Sequence, residues 1–96
     1  MELGANGQSE PLVVNRVDTS ESLQLAVAGR MSANGIGELR RLIEDARRRR
    51  KPVCVDLAEV TLVDRVSVEY LCEVVKYHVR LENPPSYLRN WIGLKD

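Results

Sequence analysis

Phenylalanine is absent, and one Trp, three Tyr, two Cys and one His are all that the 96 residues hold of those types. A single histidine excludes a multi-histidine metal site. A Ser-His-Asp set would depend on His78 alone, and no Ser lies in a nucleophile-elbow sequence, so catalysis by a triad is not expected. His78 reads instead as a surface or boundary residue where a helix meets a strand. Cys54 and Cys72 are too few and too far apart for a C-x-x-C redox or zinc motif. Each sits in an apolar pattern and reads as a reduced core residue. Neither charge sign dominates: fourteen basic residues balance fourteen acidic ones, leaving no global field to attract nucleic acid or an anionic membrane. No apolar run approaches the roughly 20 residues of a bilayer span, so membrane insertion is not expected. The polar start Met1 to Glu10 lacks the basic and apolar regions of a signal peptide, and the expected location is cytoplasmic. Gly35 and Gly37 share a G-x-G spacing without the third glycine of a dinucleotide fingerprint, and no P-loop occurs. No cofactor and no metal are expected, and the chain does not read as an enzyme.

A chain of this length folds as one small domain, burying about 60 to 65% of its unfolded surface. Residues 1–10, with Gly, Asn, Gln and Ser, read as a disordered tail, and residues 11–96 as the domain. Leu12 to Asp18 and Leu23 to Ala28 flank a polar turn and read as a hairpin, with Leu23, Leu25 and Val27 on one face. After Gly29 the spacing turns helical through Ile36, Leu39, Ile43 and Ala46, with Ser32 or Asn34 as candidate caps. The basic run Arg47 to Lys51 complements the carbonyl end of that helix, and Pro52 stops it. No aromatic residues are interleaved with the run to stack on bases, so it does not read as a nucleic-acid patch.

Val53 to Leu57 is nearly all apolar, as expected of a central strand covered on both faces. Asp64 then fits the N-cap of a helix over Arg65 to His78, with Val68, Leu71, Cys72 and Val75 marking its apolar face. Asp56 and Asp64, conceivable as an acid/base pair, read as a strand-end residue and a helix cap. Val79 to Glu82 is long enough for a short strand. Asn83-Pro84-Pro85 starts a last helix, whose stripe of Leu88, Trp91 and Ile92 places Trp91 in the core; Gly93 ends it. Tyr70 reads as partly buried. Strands alternating with helices predict an α/β fold: a mixed, mostly parallel sheet of about four strands with about three helices.

The stretch from Val53 through Asp64, an apolar strand with Asp56-Leu57 and then a short apolar run ending in Asp, resembles the centre of a STAS domain, the fold of anti-sigma-factor antagonists. Leu25, Val27, Gly29, Arg30 and Met31 resemble the strand and turn before the family's first helix, and Val79 to Leu94 its final strand and helix. Antagonists of this family usually follow the Asp with Ser-Ser-Gly, whose second Ser is phosphorylated by a partner kinase. Arg65, Val66 and Ser67 stand there instead. Val66 has no hydroxyl to phosphorylate; Ser67 is the other hydroxyl in that turn. The resemblance implies a bacterial, non-enzymatic protein-binding domain in transcription regulation, whose partner-binding residues are Arg30, Ser32, Asp64, Arg65, Val66 and Ser67. It implies a protein partner, an anti-sigma kinase or, as elsewhere in the superfamily, a transporter component that the domain serves as scaffold or regulatory subunit. A homodimer is compatible with it, and nucleotide binding is the third reading. The local alternative is purely structural: Asp64 caps, Val66 packs and Arg65 is solvated.

Overall fold

The computed structural model describes residues 12–91, with the side chain of Trp91 left out. The tail over 1–10, the core placement of Trp91 and the ending at Ile92, Gly93 and Leu94 lie outside the described residues. The chain runs β1 (Val13–Asp18), β2 (Leu23–Met31), α1 (Gly37–Arg48), β3 (Val53–Val63), α2 (Arg65–Val75), β4 (Arg80–Glu82) and α3 (Ser86–Trp91). One sheet takes the strands in the order β1-β2-β3-β4. The hairpin pair β1–β2 is antiparallel, and β2–β3 and β3–β4 are parallel. This is the expected α/β architecture.

Side-chain alternation decides which face of the sheet closes. Leu23 pairs laterally with Val53 and Leu25 with Val55, so these four residues share a side, and all four are buried. Against them pack Leu39, Leu42, Ile43 and Ala46 of α1, and Leu71 and Val74 of α2. The opposite side carries Val13, Val17, Gln24 and Ala26, all exposed. Covering on both faces, expected for Val53 to Leu57, is therefore corrected to one. Cys54 and Asp56 are only half-buried on the open side, and of the two cysteines Cys72 packs against the core.

The third strand is more than twice as long as its apolar core predicts. It has eleven residues against nine in β2, so two extra residues must be absorbed, and the register slips at two places, Ala26/Ala28 and Gly29/Arg30. At the first slip the Asp56 carboxylate accepts from the Ala58 amide at 2.9 Å, a local bond of the kind that accompanies a break in the ladder. It also accepts from Asn83 Nδ2 at 3.1 Å. Asp56 is thus a mid-strand structural residue, not a strand end. Gly29 sits near the second slip with φ 98, a conformation that a β-carbon opposes.

Helix ends differ from expectation in detail. Neither Ser32 nor Asn34 caps α1: Ile36 holds the cap position without a side-chain bond, and the Ser32 carbonyl accepts from the Gly35 and Ile36 amides. The helix α2 stops at Val75, and Lys76 to His78 form a turn. Its buried face is Ser67, Tyr70, Leu71 and Val74, about one residue out of step with the predicted stripe.

Candidate functional site

Parallel pairing carries the ends of β2 and β3 to the same edge of the domain. Arg30 lies opposite Leu62 and Met31 opposite Val63, so the turn after β2 and the start of α2 become neighbours. The Asp64 amide donates to the Met31 carbonyl at 3.0 Å. From its extended conformation (φ −81, ψ 174) the Asp64 side chain then reaches both ways: Oδ1 accepts from the Ser67 amide at 2.9 Å, capping α2, and Oδ2 accepts from the Ala33 amide at 2.9 Å. Burial pushes its carboxyl upward, but the two amides outweigh that and hold it below the ordinary value. Ser67 Oγ also favours the charged carboxylate, though its geometry falls short of a full hydrogen bond. The cap predicted for Asp64 is present, and it is also a tie between two loops.

Around this tie the six candidate residues separate. Arg30 and Ser32 are half-buried, and Asp64 and Val66 are exposed. The Arg65 side chain is 88% exposed and only loosely paired with Glu69, 3.7 Å away. Ser67, the last of the six, faces inward and is fully buried, so it contributes nothing to the exposed face. Its place on the helix explains this, since it shares the inner stripe with Tyr70, Leu71 and Val74.

Three residues of that edge were not among the six candidates. Val63, Val68 and Tyr87 line, with Arg65, an open cleft of about 350 Å³ beside the start of α2. Tyr87, on α3, is 46% exposed, and Leu62, opposite Arg30 in the ladder, is 51% exposed. The edge therefore presents an unburied cation among apolar side chains. The signal for Tyr87 was the Pro84-Pro85 pair, which starts the helix that carries it.

Among the described residues no group of three or more His, Cys, Asp or Glu is placed to hold a metal ion. Burial, and then the neighbouring Glu82, push the Cys54 thiol up, away from a reactive thiolate. Asp56 and Asp64 are each engaged with backbone amides rather than with one another. No helix among the described residues is long and apolar enough to cross a membrane.

A mixed sheet with its helices packed on one face, and a loop edge organised by an Asp at the start of the second helix, define a STAS-type domain. The chain belongs to that family: the family model described as "Mlab, STAS domain" matches residues 14–90. Among solved structures it is similar to the crystal structure of an uncharacterised DUF3478-family protein with a SpoIIAA-like fold from Shewanella loihica PV-4. That pair shares 10% identity over 93% of this chain and 99% of the other, with a TM-score of 0.49. No curated protein matches the chain.

Proposed function

We propose that this STAS domain is a non-enzymatic, antagonist-like binding module that docks a protein partner through the start of α2 and the adjoining β2–α1 turn, without phosphoregulation. Val66 carries the reading. It is 46% exposed at the helix start, where antagonists of the family present the phosphorylated hydroxyl, and a valine offers none. The next hydroxyl, on Ser67, is buried beyond the reach of a kinase. What remains is a fixed surface: the Arg65 cation, the apolar side chains of Val66 and Tyr87, and a backbone held by Asp64. An exposed guanidinium among apolar groups suits a partner that offers a carboxylate inside an apolar contact.

Because this surface has no switch of its own, a constitutive subunit of a transporter assembly is the second reading; it uses the same face. Affinity capture of partners from the native cell, compared between the wild type and Arg65→Glu, tests the site and names the partner together. The wild type should retain a protein that Arg65→Glu loses. An anti-sigma kinase in that fraction assigns sigma-factor control, and a transport component assigns the second reading. Equal retention by both forms overturns the docking site.

A further inference from the structure

At the end of the domain opposite the docking face, α1 and α2 finish beside the start of β3. Between them lies an open cleft of about 510 Å³ whose described lining carries Arg47, Arg50, Lys51 and Lys76, with Tyr77 and His78 and no carboxylate. Two of these cations are already held. Arg47 binds Glu44 at 3.1 Å and stacks over the Tyr77 ring at 3.7 Å, and Lys51 binds Asp18 and the Thr19 carbonyl. Arg50 and Lys76 pair with no carboxylate among the described residues.

The backbone adds an independent observation. Both helices leave through a left-handed residue, Arg50 with φ 57 and His78 with φ 69. Glycine is the usual residue there because a β-carbon strains that conformation, and histidine tolerates it better than arginine. Both strained residues line the same cleft. Strain of this kind persists where the surrounding structure enforces it, and it clusters at ligand sites.

We infer that this cleft is a binding site for a small phosphate-bearing molecule, a function separate from the docking face. Two uncommitted cations match the two negative charges of a phosphomonoester, and charge-assisted bonds from guanidinium and ammonium are the strong ones. The helix ends themselves oppose an anion by roughly half a charge each. That is outweighed by the two uncommitted cations, and several of the last carbonyls are already occupied. Ala46 accepts from the Arg49 and Lys51 amides, Arg47 from Arg50, Val74 from Tyr77 and Val79, and Val75 from His78.

The test titrates the full chain with inorganic phosphate and glycerol phosphate, and separately with phosphatidylcholine vesicles with and without phosphatidic acid, following backbone amide NMR signals. Saturable shifts centred on Arg50, Lys76 and His78 are expected. Arg50→Gly removes a cation while relieving the left-handed strain, so it should fold at least as well as wild type yet bind phosphate about tenfold more weakly or worse. Lys76→Gln should weaken binding similarly. Response to the soluble probes assigns a soluble ligand, and response to phosphatidic acid vesicles alone assigns a lipid head group. No saturable response to any probe, or wild-type affinity in both folded variants, overturns the inference.

Discussion

Asp64 serves two loops with one carboxylate, so its loss should exceed that of a lone helix cap. An N-cap contributes about 0.5 to 2 kcal/mol. The second bond, from Oδ2 to an amide 31 residues away, adds about 0.5 to 1.5 kcal/mol at this exposed position. Asp64→Ala should therefore destabilise the domain by about 1 to 3.5 kcal/mol. Asp64→Asn separates the two terms: the amide keeps one acceptor oxygen but turns an NH₂ donor toward the other backbone N–H. It should lose about 1 kcal/mol, although Asn alone is as good a cap as Asp. Urea unfolding followed by circular dichroism measures both, with an unchanged slope licensing the comparison. Asp64→Asn as stable as wild type would show that the bond to Ala33 contributes nothing, and an Asp64→Ala loss below about 0.5 kcal/mol would refute the cap as well.

The same carboxylate sets a pH dependence. Its folded pKa lies below the unfolded one, so its contribution is complete above the unfolded value, about 4, and disappears as pH falls through the folded value. The wild-type advantage over Asp64→Asn should be full at neutral pH and shrink below about pH 4. The difference between the two proteins is the readout, because Asp18, held down chiefly by Lys51, and Asp56, held down chiefly by the Ala58 amide, tilt both curves alike. An advantage that does not change with pH would refute the assignment to the charged carboxylate.

Other substitutions test individual contacts. Tyr70→Phe should leave stability unchanged or raise it by up to about 1 kcal/mol in urea unfolding, because the hydroxyl is buried without a hydrogen-bond partner among the described residues. Its phenol is pushed up to about 12, first by desolvation, and Arg40, 4.6 Å above the ring, keeps its stacking surface in the variant. Ser67→Ala should fold as stably as wild type or better by up to about 1 kcal/mol, since it removes a buried hydroxyl and supplies a stronger helix former. Wild-type chain incubated with an anti-sigma kinase and ATP should gain no phosphate at the start of α2, read by intact and fragment mass; stoichiometric phosphate on Ser67 would show that its burial is readily undone.

Most of the architecture was legible because it rests on local chemistry. Leu23, Leu25 and Val27 alternate, Asp64 precedes a helix, and Pro84-Pro85 precedes another. The second half of β3 was not. Its two bulges break the period of two, so Ala58 to Val63 shows no single face although it stays paired with β2. The burial of Ser67 went unread for a different reason. It lies three residues before Tyr70, four before Leu71 and seven before Val74, which is helical spacing for the inner face, but it was grouped with the partner-binding residues by family resemblance rather than by spacing. The cleft depends on where α3 docks, a long-range outcome that no local pattern encodes.

Arg65→Glu and Asp64→Asn divide the docking face into its chemistry and its support. Replacing Arg65 gives up an exposed pair worth about 0.3 to 0.5 kcal/mol and places a carboxylate against Glu69, while an acid in the first turn regains about 0.3 to 1 kcal/mol from the helix dipole. Stability should therefore stay within about 0.5 kcal/mol of wild type. Affinity should fall by about 2 kcal/mol or more, because the partner's acid then meets a like charge. Asp64→Asn leaves Arg65, Val66 and Tyr87 in place but loosens the turn at Ala33 from the helix start, so the domain weakens and the partner must restore that geometry on binding. Affinity should fall by less than with Arg65→Glu. If calorimetry on folded protein instead gives Arg65→Glu the smaller affinity loss, the partner reads the backbone that Asp64 holds rather than the cation beside it.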